Sequence, residues 1–207
     1  MIAGARRARA RAVLLVVLVA SLAVAQARAA APAPRSLTGR LLAATESMRD
    51  PRFSRAVLYL VRHDERGALG LVVNVPLGEI PFERALKPLG LDAPANSGTV
   101  RVHYGGPVGE RQGFVLHTPD WKTESTTVVN EHFAVTEDPS VLMAMASGSG
   151  PRKALFVLGY AGWAPGQLDA ELTTGAWAVA VADERLVFET DPAQKWIEAM
   201  ARRILEL

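Results

Sequence analysis

The segment LGYAGWAPGQL, residues 158–168, decides how the chain is arranged. The apolar run before it, residues 154–159, has the composition of a strand, and it passes through glycine-spaced residues into a helix that opens at Gln167. A second junction of this kind, YGGPV at residues 104–108, also follows a strand-like run. Because glycine tolerates backbone conformations and close contacts that other residues do not, we interpret both junctions as places where chain segments meet closely.

Seven runs of apolar and β-branched residues are predicted to be strands. The first two are separated by a polar loop at residues 63–67 that ends in glycine, and they are predicted to form a hairpin. The predicted strands are residues 56–62, 69–75, 99–104, 113–118, 154–159, 177–182 and 186–188.

Two predicted helices begin at an Asp-Pro pair, which combines an N-cap residue with a proline in the first turn. The helix after Asp138 is expected to end at Gly148, and shorter helices are predicted at residues 82–89 and 167–174. Strands and helices interleave without strict alternation, so we predict an α+β or mixed α/β fold with a mixed sheet and helices packed on it. The helix after Asp191 is predicted to bury the apolar stripe Trp196, Ile197, Met200 and Ile204.

The first 29 residues have the order of a secretory signal peptide. Arginines at positions 6, 7, 9 and 11 precede an acid-free apolar run at residues 12–25, which is shorter than the roughly 20 residues that span a bilayer. We predict a signal peptide at 1–29, a linker at 30–36 and a single domain at 37–207. The mature protein would be periplasmic or secreted, with no membrane attachment after cleavage. The alternatives are an uncleaved anchor and a start codon placed too far upstream, in which case the protein would be cytoplasmic.

The basic charge of the chain belongs to this leader. The whole sequence has a net charge of +2, but removing 29 residues takes away five arginines and no acids, which leaves 18 basic against 21 acidic residues, or −3. Binding to a phosphate backbone requires clustered Lys and Arg. We therefore expect no nucleic-acid partner.

Several kinds of chemistry are excluded or unsupported. The chain has no cysteine, which excludes disulfides, thiolate nucleophiles and cysteine-based zinc sites. It has no GxSxG or SxxK motif and neither of the two common glycine-rich nucleotide-binding patterns. The four histidines are not spaced as metal-binding pairs. We predict no catalytic motif, no metal site and no cofactor.

The candidate ligand-binding residues come from the two glycine-rich junctions and the elements that follow them. Exposed N–H groups at a helix start can hold an anion, and polar residues one helical turn apart can extend such a site. The candidate residues are Gly105, Gly106, Pro107, Arg111, His117, Tyr160, Gly162, Trp163, Gln167 and Glu171.

These residues favour a non-enzymatic binding or interaction domain for an unidentified small molecule or protein. One alternative is that the glycines serve packing alone, with Tyr160 and Trp163 filling the core or its rim. Another is an enzyme of unrecognised type that uses His117, Arg111 and Glu171.

Seven short segments carry a family resemblance. They are SMRDPRF (47–53), GLVVN (70–74), GGPV (105–108), GFVLH (113–117), GSGP (148–151), LGYAGW (158–163) and GQL (166–168). In this order they resemble the YqgE/AlgH family over roughly residues 37–205. The resemblance implies mixed strands curled into a bifurcated pseudo-barrel with flanking helices, and no established biochemical activity.

The family is often labelled as transcriptional regulators, so a DNA-binding regulator is a third alternative, although this chain shows no helix-turn-helix signal. It also departs from the family pattern. The family usually lacks the leader and is cytoplasmic, and it commonly has arginine where Val75 precedes Pro76 here. An anion site that used that arginine would be weakened.

The export prediction is tested at the N-terminus. Edman sequencing of the protein isolated from its native host is expected to give a first residue just after Ala27 or Ala29, the two positions that signal peptidase would accept. A first residue at Met1 or near Thr38 would contradict the prediction.

Overall fold

A computed structural model describes residues 36–204. The predicted signal peptide and all of the predicted linker except its last residue lie outside the described residues. The described strands are β1 (Arg40–Ala44), β2 (Val57–Asp64), β3 (Gly67–Val72), β4 (Pro76–Pro81), β5 (Thr99–Tyr104), β6 (Val108–His117), β7 (Thr127–Val128), β8 (Ala134–Thr136), β9 (Ala154–Trp163) and β10 (Trp177–Val181). The described α-helices are α1 (Phe82–Leu86), α2 (Ser140–Ala146), α3 (Gln167–Thr173) and α4 (Pro192–Ala201).

The strands form one sheet that forks at β9. The main path runs β10-β1-β2-β3-β9-β6-β8-β7, and all its neighbours are antiparallel. The end of β9 pairs with β3, whereas its first half pairs with β6 and, in parallel, with β5, which carries β4 along its other edge. The sheet curls into a half-barrel with helices on its flanks, so the predicted α+β fold with a bifurcated sheet is confirmed.

Backbone atoms meet closely at the fork. Gly105 N donates a hydrogen bond to Leu158 O at 2.7 Å, and Gly105 O accepts one from Val72 N at 2.9 Å. A β-carbon on Gly105 would lie 2.1 Å from Gly159 O, and one on Gly106 would lie 2.1 Å from the carbonyl carbon of Tyr160. Gly159 itself has φ of +76°, which bends β9 at this point. The glycines at both junctions therefore serve backbone geometry.

Alternate residues of the central strands pack on opposite faces of the sheet. Leu41 and Tyr59 belong to a core beneath α4, and Leu42 and Leu58 belong to a second core beside α3. Because both faces are covered, these strands are nearly continuous apolar runs. A third cluster lies between α1, α2 and the first half of β9.

The predicted hairpin and helix starts are confirmed. Strands β2 and β3 are antiparallel and joined by a two-residue turn, so the hairpin loop is shorter than expected. Asp138 Oδ1 accepts a hydrogen bond from Ser140 N at 2.8 Å, and Asp191 Oδ1 accepts one from Ala193 N at 2.8 Å. Gly148 follows α2 with φ of +72°.

Other predictions were wrong. The predicted strand at 186–188 is a π-helical turn, Arg185–Glu189, because Asp183 Oδ1 accepts a hydrogen bond from Leu186 N and turns the chain back after β10. Ile197 is 54% exposed, and the buried face of α4 carries Lys195 instead. Strands β1, β4, β7 and β8 were not predicted. Among residues 36–204, no helix is long and apolar enough to cross a bilayer.

The close approach at the fork can be tested with Gly105→Ala. The added methyl group overlaps the Gly159 carbonyl, so we expect the free energy of unfolding to fall by about 3 kcal/mol or more, measured by urea denaturation. Gly148→Ala is the control: its methyl group has open space and meets only the strain of positive φ, so about 1 kcal/mol is expected. An equal or smaller loss for Gly105→Ala would contradict a steric role.

Candidate functional site

An open cavity of about 880 Å³, here called the aromatic cleft, lies beside the end of β9. Its walls come from the loop after β1 (residues 46–53), residues 107–108 and 161–163, and the stretch from α3 to the start of β10. Three aromatic rings line it. Trp177 is in edge-to-face contact with Trp163, with ring centroids 6.0 Å apart, and with Phe53, at 5.5 Å.

A single carboxylate holds the two indole rings. Glu171 Oε2 accepts hydrogen bonds from Trp163 Nε1 at 2.9 Å and from Trp177 Nε1 at 2.8 Å. Its other oxygen, Oε1, accepts a bond from Gln167 Nε2 at 2.9 Å, and Gln167 Oε1 in turn accepts one from Ala164 N at 3.1 Å. Positions 167 and 171 lie one turn apart on α3, which allows this chain of bonds. Glu171 is therefore committed to fixing the rings.

The loop at residues 46–53 closes the cleft on the opposite side. Asp50 accepts a backbone bond from Arg52 N at 3.0 Å and pairs with the Arg52 guanidinium at 2.6 Å. The hydrogen bond from the Arg52 side chain is the main cause that lowers the pKa of Asp50 below its usual value. Arg49 and Glu46 are exposed on the same loop, and neither has an ion pair or side-chain hydrogen bond within residues 36–204. Among residues 36–204, the rim thus offers one free charge of each sign.

Five of the ten sequence-predicted residues line the aromatic cleft. The structure therefore brings the two glycine-rich junctions together at one cavity. Gly105 and Gly106 lie at the backbone contact of the fork, and Tyr160 packs edge-to-face on Phe114 with centroids 5.8 Å apart. The five lining residues are Pro107, Gly162, Trp163, Gln167 and Glu171.

Arg111 and His117 lie elsewhere. Arg111 lines a separate, mostly apolar cavity of about 340 Å³ beside α2. His117 is fully buried: its Nδ1–H donates to Thr118 O at 2.8 Å, and its Nε2 accepts from the Thr136 hydroxyl at 2.9 Å. Burial lowers the pKa of His117 and so favours the neutral imidazole. Both ring nitrogens form hydrogen bonds within the protein, so the ring has a structural role. The structure does not bring His117, Arg111 and Glu171 together at one cavity.

No metal-binding cluster accompanies the cleft. In the part of the chain that the structure describes, no group of three or more His, Asp or Glu side chains is placed to hold a metal ion.

Sequence reasoning missed the loop at residues 46–53 and Trp177 as parts of the site. Asp50-Pro51 is the same pair that begins α2 and α4, and it starts a short 3₁₀ turn here. The loop reaches the cleft because Ala44, at the end of β1, pairs with Trp177 of β10, and Thr45 N donates to Ala176 O at 3.0 Å. Because the sequence analysis did not predict β1, it could not predict that the loop after β1 lies next to Trp177.

Known proteins are similar to this chain in both sequence and fold. A family model described as AlgH-like matches residues 41–206. A UPF0301 protein of Rhodospirillum rubrum is 46% identical over 166 residues, covering 80% of this chain and 86% of that protein. A UPF0301 protein of Caulobacter vibrioides is 45% identical over 168 residues, with 80% and 86% covered.

Two solved structures are similar. The solution structure of the AlgH protein from Pseudomonas aeruginosa has a TM-score of 0.72 and 40% identity, covering 84% of this chain and 92% of that one. A crystal structure of a protein from Corynebacterium diphtheriae has a TM-score of 0.62 at 22% identity, covering 87% and 92%, and shares the fold. The family match and these levels of identity show that the chain belongs to the AlgH-like family.

Proposed function

We propose that the protein is a non-enzymatic binding domain and that the aromatic cleft is its binding site. The observation that carries this proposal is the pair of indole rings held by Glu171 on the wall of an open cavity. Rings that are already fixed lose little conformational freedom when a ligand packs against them. A preformed, partly apolar pocket with a few polar groups is the usual form of a small-molecule site.

The lining indicates the class of ligand. Phe53 and the small exposed parts of Trp163 and Trp177 favour a flat or apolar group, which would pack against them. Arg49 and Glu46 at the rim favour a polar end that carries both an acidic and a basic group. A free aromatic amino acid, or a short peptide with an aromatic side chain, has both features.

The bonding of Glu171 supports binding over catalysis. A general base must have an oxygen free to take a proton from the substrate. Three of the roughly four acceptor positions of the Glu171 carboxylate already take hydrogen bonds from side chains of the protein, and both positions of Oε2 are filled. We therefore assign this carboxylate to the architecture of the cleft.

The arginines near the cleft do not favour nucleic acid. Arg52 is paired with Asp50, and the Arg55 guanidinium lies 5.0 Å from the centre of the Trp196 ring. Neither forms part of a row of free cations of the kind that binds a phosphate backbone. This arrangement supports a small-molecule or peptide ligand.

The role of Glu171 can be tested with Glu171→Ala. Two partly buried indole N–H groups would lose their acceptor, so we expect the free energy of unfolding to fall by about 2 kcal/mol and tryptophan emission to shift to longer wavelength. The control is Glu65→Ala, at an exposed turn residue, which should change neither measurement. Unchanged stability in Glu171→Ala would show that the rings are held by packing alone.

Binding can be tested with a set of phenylalanine-containing dipeptides. These peptides contain no tryptophan, so quenching of protein tryptophan emission, together with ligand-observed NMR, reports binding, and a pair of variants shows whether the cleft is the site. Ser47→Phe places a bulky side chain in the cleft, where it takes space that the ligand would occupy, and is expected to weaken binding at least tenfold. Ser54→Phe is the matched control, at an exposed serine of the same loop region that does not line the cleft. Equal binding to both variants, or no response of the wild type to any member, would overturn the proposal.

A further inference from the structure

A third cavity, here called the Lys195 cavity, lies at the other end of β9. It has a volume of about 470 Å³ and is lined by residues of β4, β5, the start of β9 and the stretch at residues 188–195. Its volume is within the range of small-molecule sites, roughly 300–1,000 Å³. Its wall is partly apolar, with Phe82, Phe156 and Phe188 among the lining residues.

The first unusual group in this cavity is a buried amine. Lys195 is 2% exposed, although lysine is almost never fully buried unless it is paired. Its Nζ donates hydrogen bonds to Val73 O at 2.9 Å and to Val187 O at 2.5 Å, which are neutral carbonyl groups. An ammonium group has three donors, so one remains. Burial lowers the pKa of Lys195 to about 8, a value at which the amine is still mostly charged at neutral pH.

The second unusual group is an imidazole with one nitrogen that has no hydrogen-bond partner within residues 36–204. His103 is 2% exposed and lines the same cavity, and its Nδ1 has no hydrogen-bond partner within residues 36–204. A buried polar atom without a partner is costly, and such atoms are rare in folded proteins. Burial, with the nearby charge of Lys195 as a second cause, lowers the pKa of His103 to about 4, so the ring is neutral. A neutral imidazole can present an N–H donor to a ligand.

The carboxylates around the cavity have partners of their own. Glu79 Oε1 pairs with Arg101 at 2.8 Å, and Glu189 pairs with Lys153 at 2.5 Å. Asp191 accepts the N-cap hydrogen bond of α4. Its charge raises the pKa of Lys195, but this offsets only part of the larger decrease caused by burial. None of them forms an ion pair with Lys195 in the described part of the chain. Within residues 36–204, the buried ammonium group therefore has no counter-charge paired directly with it, and Asp191 acts on it only from a distance.

We propose that the Lys195 cavity is a second binding site, which takes a small carboxylate with an apolar body. The carboxylate oxygens would accept hydrogen bonds from the free donor of Lys195 and from His103, and the apolar body would pack against Phe82, Phe156 and Phe188. One ligand thereby supplies the missing counter-charge and the missing hydrogen-bond partner. This site is separate from the aromatic cleft and does not depend on the function proposed for it.

The test uses sodium hexanoate as the probe, with hexanamide and inorganic phosphate as comparisons. Isothermal titration calorimetry of the purified protein is expected to show that hexanoate binds at least tenfold more tightly than hexanamide or phosphate. Hexanamide lacks the charge, and phosphate lacks the apolar body. Hexanoate should also shift the imidazole ¹⁵N resonances of His103 in the wild-type protein. Equal affinity for hexanoate and hexanamide, tighter binding of phosphate, or unmoved His103 resonances would each overturn the proposal.

Variants separate the two sites. Lys195→Met keeps the length of the side chain and removes its charge, and it is expected to weaken hexanoate binding at least tenfold. Lys122→Met, at an exposed lysine away from the cavity, and Ser47→Phe, in the aromatic cleft, should leave hexanoate affinity unchanged. Unchanged affinity in Lys195→Met would contradict the assignment. If that variant does not fold, the His103 resonances of the wild type decide the question.

Discussion

The structure depends on a contact between two backbones at the fork of β9. Gly105 and Gly106 lie so close to Gly159 and Tyr160 that side chains on the two glycines would overlap the carbonyl groups opposite. This contact allows β5 to pair with the first half of β9 while the end of β9 turns away to pair with β3. A protein core tolerates little change in volume, so the two branches of the sheet can only meet where side chains are absent. The fork in turn places residues 107–108 against the aromatic cleft.

The aromatic cleft and the Lys195 cavity differ in how many of their polar groups have hydrogen-bond partners. At the cleft, Glu171 accepts three hydrogen bonds and each indole N–H has an acceptor, so every member of the polar network has a partner without a ligand. In the Lys195 cavity, the described part of the chain gives the buried ammonium group only neutral carbonyl partners and gives His103 Nδ1 no partner. A complete network makes a rigid wall, whereas an incomplete one has a free-energy cost that a ligand can relieve. The same protein therefore supports two different arguments for binding, one from shape and one from unmet bonding.

Much of this fold was predictable because its signals are local. Glycines at 105 and 159 marked the close contact, and the Asp-Pro pairs marked the starts of α2 and α4, because capping is decided by neighbours in sequence. Strands β1 and β4 were missed because pairing with distant partners defines them: β1 lies between β10 and β2, and β4 begins with proline. Five residues of the candidate site were predicted through its glycine-rich junctions and the helix that follows them. Most of its lining, including Phe53 and Trp177, is brought to the cleft by that long-range pairing.

Lys195 is a residue whose burial a local sequence pattern does not predict. On α4 the sequence offers Trp196 and Ile197 as the natural buried residues, yet Ile197 faces solvent and Lys195 enters the core. The structure tolerates the buried amine because two carbonyl groups accept its hydrogen bonds. Val73 O lies just after β3 and Val187 O lies in the π-helical turn, and both face α4. An apolar residue at position 195 would remove the cost of burying a charge, and buried charges are often replaceable in that way without loss of stability. Stability alone therefore gives no reason for an amine at this position. The neighbouring imidazole of His103, whose Nδ1 has no partner within residues 36–204, supplies one, because the two groups together form a place for an anion.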